Sequence, residues 1–294
     1  MSKSSGTTHG LLALLLALSL AGSFLNLFPP LNWLHEINTN LGAYYLLAHI
    51  LSLPLVWLVF RTKKLRRTLL AHLLGALSLW YIIALYPFGF SPHSSQEKGE
   101  VSLLYANVHL SNTDHATLAG IIARENPDLV ALLETDQAWL DALNLSQRYP
   151  FRVEIPRPDQ FGLALYSRYP FLGEPLKSLG DALPPLIMQK VELSPGKDFM
   201  FVLLHARPPV SAGNFWANKY LLRRLATLLR HSEESFLLAG DFNATPFSFF
   251  YRRFVDWTGV EDAKWGQGLC RSWNARSPFL RLAIDHVFYR GALR

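Results

Sequence analysis

Six polar residues stand at the ends of apolar runs in this 294-residue chain, and their types suit work on an oxygen-rich anion. Asp241 and Asn243 follow Leu237-Leu238-Ala239-Gly240 and precede Thr245-Pro246. If the chain stays extended there, side chains two apart point to one side. A carboxylate and an amide would then sit together, as a hard cation or a phosphate requires. The same pattern also suits a strand end closed by an Asx turn before proline. Asn107 follows Leu103-Leu104-Tyr105-Ala106, Glu134 follows Leu129 to Leu133, His205 follows Phe201 to Leu204, and Asp285 follows Leu282-Ala283-Ile284. Taken singly, each is an ordinary strand-end residue, and His205 reads equally as a satisfied core histidine. Five such strands point to a shared rim. Arg207, two residues beyond His205, is a candidate phosphate contact or a surface arginine.

The elements needed to carry these residues are legible from periodicity. Val101–Val108, Leu129–Leu133, Gly162–Ser167, Val191–Leu193, Phe199–Leu204, Phe236–Ala239 and Ala283–Tyr289 read as strands. Asn112 or Thr113 is expected to cap a helix running to about Glu125, and Asn218–Arg230 reads as an amphipathic helix. Strands outnumber helices and often follow one another directly. That predicts a mixed α/β layered domain over residues 101–294 rather than a simple doubly wound sheet.

Residues 1–90 differ in kind. Half of all residues are hydrophobic, 17% are charged, and the mean hydropathy is +0.14. Leu11–Phe28, Leu41–Phe60 and Leu69–Phe88 are each long enough, as stretches of sequence, to cross a hydrocarbon core of roughly 30 Å. The first also suits a signal peptide, although no small-x-small cleavage site precedes Pro29-Pro30. Residues 1–90 are therefore expected to form a membrane domain of three transmembrane helices, with 91–100 as a polar linker. Residues 61–67 hold five positive charges and 29–40 none, which predicts a cytoplasmic N-terminus and a periplasmic or extracytoplasmic second half at a cell inner membrane. The net charge of +6 belongs mostly to residues 1–90, with six basic residues and one acid. The remaining 22 basic and 21 acidic residues nearly balance, so the overall basicity is no nucleic-acid signature. The lone Cys270 excludes an intrachain disulfide.

In order along 101–294, the motifs YANVHL (Asn107), ALLET (Glu134), GLALYSRYP (162–170), LLHARPP (His205), GDFNATP (Asp241, Asn243) and RLAIDHVF (Asp285) resemble the endonuclease/exonuclease/phosphatase superfamily of DNase I-like enzymes. Leu133 stands where that family often has Gln. The resemblance implies a DNase I-like α/β/β/α sandwich and metal-assisted hydrolysis of a phosphoester. By the same resemblance, Asn107 and Glu134 would hold Mg²⁺, with Mn²⁺ as an alternative. His205 would donate a hydrogen bond to the phosphate, Asn243 would position it, and Asp241 would align the attacking water. Asp285 would orient a histidine in a C-terminal Ser-Asp-His motif. That motif does not occur between Asp285 and Arg294. His286 lies beside Asp285, but adjacent strand residues face opposite sides, so it does not replace the missing base. A truncated domain lacking its last strand is therefore expected.

The leading expectation is a membrane-anchored phosphodiesterase or phosphatase acting on a lipid headgroup or small phosphoester, with the bilayer as partner and no obligate protein partner. The alternatives are a nuclease on extracellular nucleic acid, using Arg223, Arg224, Arg252, Arg253 and Trp257, and a non-catalytic family member.

Overall fold

The computed structural model describes residues 3–59, 64–90 and 101–291. The expected linker 91–100 and part of the basic segment 61–67 lie outside the described residues. Four helices come first: α1 (Lys3–Leu25), α2 (Trp33–Thr39), α3 (Gly42–Val59) and α4 (Lys64–Phe90). Ten strands and four helices follow. They are β1 (Leu103–Asn107), α5 (His115–Glu125), β2 (Leu129–Leu133), α6 (Gln137–Leu143), β3 (Phe151–Ile155), β4 (Leu163–Ser167), β5 (Phe171–Leu176), β6 (Leu186–Ser194), β7 (Lys197–His205), α7 (Ala212–Arg230), β8 (Phe236–Asp241), α8 (Phe249–Thr258), β9 (Glu261–Asp262) and β10 (Asp285–Arg290).

Two sheets pack face to face. One runs β1-β2-β4-β3 and the other β5-β6-β7-β8-β10-β9. Strand alternation assigns each side chain to a layer. Leu129, Ala131 and Leu133 of β2 meet Phe199, Phe201 and Leu203 of β7 between the sheets. Val130 and Leu132 turn outward beneath α5 and α6, against Ile122, Trp139, Leu140 and Leu143. On the other side Leu221, Leu222 and Leu225 of α7 and Phe254 of α8 cover Val202, Leu204 and Leu238. The result is the expected α/β/β/α sandwich. Asp114, one residue beyond the expected cap, caps α5 by accepting the Thr117 N–H at 3.1 Å.

The reading of residues 1–90 as three membrane spans is overturned: among the described residues no helix is long and apolar enough to cross a membrane. The multi-pass inner-membrane placement, with a periplasmic domain, rested on those spans and falls with them. Hydropathy averaging passed over polar side chains that bond across these helices. Ser23 Oγ lies 3.0 Å from His49 Nε2, and Asn26 Nδ2 donates to the Tyr81 hydroxyl at 3.0 Å. Pro54 also interrupts the α3 hydrogen-bond ladder.

Candidate active site

Strand register brings the candidate residues together. His205 at the end of β7 is paired with Asp241 at the end of β8. Asp241 is paired in turn with Asp285 at the start of β10. Leu203, Ala239 and Val287, each two residues away, pack between the sheets, so His205, Asp241 and Asp285 open onto that same face. In the facing sheet Asn107 of β1 is paired with Leu133 of β2, and Glu134 follows directly. Tyr105, two residues before Asn107, closes the gap: its hydroxyl donates to Asp285 Oδ1 at 2.5 Å. Asn107, His205, Asp241 and Asp285 thus sit at paired strand ends, Glu134 directly follows one, and Asn243 and Arg207 lie two residues beyond.

Glu134 is held at both oxygens. Asn107 Nδ2 donates to Oε1 at 2.8 Å and the Leu110 N–H to Oε2 at 3.0 Å. Asn107 Oδ1 accepts the His109 N–H at 3.0 Å. The backbone at Glu134 is left-handed, with φ 62°. This is uncommon for a non-glycine residue and recurs at functional sites. Gly162 permits it: a Cβ there would collide with the carbonyl oxygen of Thr135.

Beyond Asp241 the chain does not stay extended. Asn243 is left-handed, with φ 48°. Its N–H donates to Asp241 Oδ1 at 2.8 Å, and its side-chain amide donates to the Ala206 carbonyl at 2.9 Å. The chain therefore forms the Asx turn that the sequence also allowed, and that turn sets Asn243 beside Asp241. Phe242 points into the core below α8.

Electrostatics follow from burial. Asp241 is buried, and its carboxyl is pushed well up, first by burial and then by the Asp285 carboxylate, with Glu134 adding to the repulsion. Burial also lowers the proton affinity of His205, so its imidazole is neutral near pH 7. His205 Nδ1 lies 2.7 Å from the Gln160 carbonyl, which only accepts, so Nδ1 carries the proton and Nε2 the lone pair. Nε2 is 3.7 Å from Asp241 Oδ2. At that distance, and with a neutral ring, the pair is not a salt bridge. The Tyr105 hydroxyl is raised well above its ordinary value by burial and then by Asp285, so it remains a neutral donor.

His286 faces away, as adjacency on the strand requires. Nδ1 lies 2.8 Å from Asp262 Oδ2 and Nε2 2.9 Å from the Ala244 carbonyl. The side-chain partner of Asp285 is Tyr105 rather than an imidazole. Arg207 lies over the Phe161 ring, 5.3 Å from its centroid, and that ring is 5.3 Å from the His205 ring. Arg207 Nε is buried without a hydrogen-bond partner. Tyr105, Gln160 and Phe161 were not singled out from the sequence. Tyr105 could have been found, since it shares the inward face of β1 with Asn107. Gln160 acts through its backbone, which leaves no trace in residue type.

A family model described as the Endonuclease/Exonuclease/phosphatase family matches residues 104–294. The chain belongs to this family. Its members are phosphoester hydrolases, and divalent metal ions, Mg²⁺ in particular, are typical of them. Among solved structures, humanized TDP2 of D. rerio is similar at 21% identity and a TM-score of 0.51, over 65% of this chain and 84% of that one. The human Nocturnin catalytic domain with bound sulfate matches at 17% identity and 0.51, over 64% and 82%. An endonuclease/exonuclease/phosphatase of Beutenbergia cavernae matches at 19% identity and 0.50, over 66% and 65%. At these identities the likeness shows the fold. No curated protein matches the sequence.

Among the described residues no group of three or more His, Cys, Asp or Glu side chains is arranged to hold a metal. Asn107 and Glu134 nevertheless fit a hard divalent ion that keeps most of its waters. Both offer oxygen, and the charges acting on neighbouring Asp241 are carboxylates rather than cations.

Proposed function

We propose that the rim formed by these strand ends hydrolyses a phosphoester of a small molecule or a lipid headgroup. One observation carries the reading. His205, Asp241 and Asp285 come from three paired strands of one sheet, and across the gap Asn107 of the other sheet hydrogen-bonds Asp241 while the Glu134 charge acts on His205 and Asp241. Asn107 and Glu134 would hold Mg²⁺ or Mn²⁺, which when bound supplies positive charge to phosphoryl oxygens. Asn243 commits one amide hydrogen to Ala206 and keeps the other for the phosphate. Arg207, stacked on Phe161, supplies a cation beside His205. In the tautomer held by Gln160, Nε2 is the His205 nitrogen free to take up a proton and donate it to the phosphate. Asp241 and Asp285 flank the position of the attacking water.

The residues named for a nucleic-acid groove lie away from the strand-end site. Arg223, Arg224, Arg253 and Trp257 lie on α7 and α8, the helical layer on the far face of the six-stranded sheet from the site. Arg252 stacks over Trp80, 4.9 Å from its ring centroid. The test is hydrolysis of bis-p-nitrophenyl phosphate by the full chain with Mg²⁺. Activity lost in Glu134→Ala supports the reading, and activity retained in that variant refutes it.

A further inference from the structure

Residues 36–45 precede the segment matched by the family, yet they grip the turn that follows Asn243. Asn40, at the C-terminal cap of α2, is buried. Its Oδ1 accepts the Thr245 N–H at 2.6 Å, and its carbonyl accepts the Thr245 hydroxyl at 3.3 Å. Its Nδ2 donates to the Glu36 carbonyl at 3.1 Å, which fixes the orientation of the amide. One helical turn earlier, Glu36 Oε1 accepts the Ser248 hydroxyl at 2.5 Å. Between these contacts Phe247 lies so close to Gly42 that a Cβ there would overlap its ring. Phe247 also meets Tyr81 edge-on, with centroids 5.7 Å apart. From the other side His286 holds the Ala244 carbonyl.

The turn 244–248 is thus clamped between the sandwich core and the N-terminal helices. The clamp adjoins Asn243, which is left-handed immediately before the turn and commits its side-chain amide to the Ala206 carbonyl. Small displacements of groups around a reacting centre cost rate disproportionately.

We propose that Asn40 and Glu36 are positioning residues for hydrolysis: they hold the 244–248 turn so that Asn243 and Asp241 keep their places at the strand ends. The N-terminal helices are on this account part of the catalytic unit rather than an appendage. The proposal rests on the phosphoester-hydrolase reading above.

The test uses the full chain and three variants. Asn40→Leu and Glu36→Leu each remove an acceptor from the clamp. Tyr44→Phe breaks a different tie of the same helices: the Tyr44 hydroxyl donates toward the Phe279 and Arg281 carbonyls at 3.0 Å and accepts the Arg281 N–H at 2.7 Å. Two readouts are taken: kcat and KM for bis-p-nitrophenyl phosphate, and amide hydrogen exchange over 241–248. Asn40→Leu is expected to lower kcat by about 10-fold or more, with KM changed by less than about two-fold. Exchange over 241–248 accelerates in the same variant, and Glu36→Leu moves both readouts in the same direction. Tyr44→Phe lowers the thermal midpoint but leaves kcat and the exchange of 241–248 as in the wild type. The proposal is overturned if Asn40→Leu keeps its kcat, loses it only in step with Tyr44→Phe, or leaves the exchange of 241–248 unchanged. A wild-type chain that hydrolyses no phosphoester refutes the functional reading separately, and with it the positioning role. Exchange over 241–248 then still reports whether the clamp exists.

Discussion

Glu36→Gln should stabilise the chain at pH 8 and leave it nearly unchanged at pH 4.5. Glu36 is 1% exposed, and Oε2 has no hydrogen-bond partner. Burial raises its carboxyl from an ordinary 4.5 to about 7, against the lowering effects of Ser248, Thr39 and the Arg252 charge. The folded state therefore keeps this proton up to about pH 7, whereas the unfolded chain releases it near 4.5. Between those values the folded state binds more protons, so stability falls as pH rises. The contribution is fully present below about pH 4.5 and gone above about 7. At about 1.4 kcal/mol per pH unit the loss is about 3 kcal/mol. Glutamine offers the same Oε1 acceptor to Ser248 and has no charge to desolvate, so the variant lacks this slope. For a domain of this size about 3 kcal/mol corresponds to roughly 6–12 °C in thermal midpoint. The assay is denaturant or thermal unfolding of wild type and variant across pH 4.5–8. The difference between the two isolates Glu36 from every other titrating group. A variant-minus-wild-type difference that is the same at pH 4.5 and pH 8 would refute the argument, because burial would then not be holding the proton on Glu36.

Three further outcomes follow from the site. His205→Ala should lower kcat for bis-p-nitrophenyl phosphate by about 10²–10⁴-fold, and a loss under about five-fold would remove His205 from the chemistry. Tyr105→Phe deletes the hydroxyl that meets Asp285 at 2.5 Å; it should cost about 1–3 kcal/mol as the loss of a hydrogen bond to a charged group, read from denaturant midpoints, together with a fall in kcat. Gly162→Ala places a Cβ against the Thr135 carbonyl beside Glu134, and because the clash is with backbone it should cost roughly 1–3 kcal/mol or more in unfolding free energy and weaken Mg²⁺-dependent activity; a variant as stable as the wild type would show that the 134–135 turn relaxes freely.

The strands were legible where burial is two-sided or strictly alternating. Leu129–Leu133 is an unbroken apolar run and forms β2 with the expected ends. β5, Phe171–Leu176, was not read from the sequence because it is an edge strand, mostly exposed and carrying Gly173 and Pro175, which mimics a loop. α8 was missed for a different reason. Phe249–Thr258 is too short for its amphipathic period to stand out between the Thr245-Pro246 turn and Gly259, and Ser248 was not recognised as its cap. In residues 1–90 the length of the apolar stretches was visible. The bonding of Asn26, Asn38 and His49 across helices was not, because hydropathy assigns each residue a value without a partner.

The site was legible for a related reason. His205, Asp241 and Asp285 each end or begin a strand whose inward face is apolar up to that residue, so alternation alone fixes where they point. What alternation cannot supply is registry between sheets. Nothing in the sequence says that Tyr105 of β1 lies opposite Asp285 of β10, 180 residues away, because that depends on how two twisted sheets stack. Asn243 shows the converse limit. Its role was read from an extended geometry that the chain does not adopt: its left-handed turn points the amide to Ala206 and caps Asp241 with a backbone N–H. The residue types were sufficient to pick out the strand ends that the register brings together, but several of the hydrogen bonds that aim them come from backbone at Gln160, Ala206 and Leu110, groups that every residue carries.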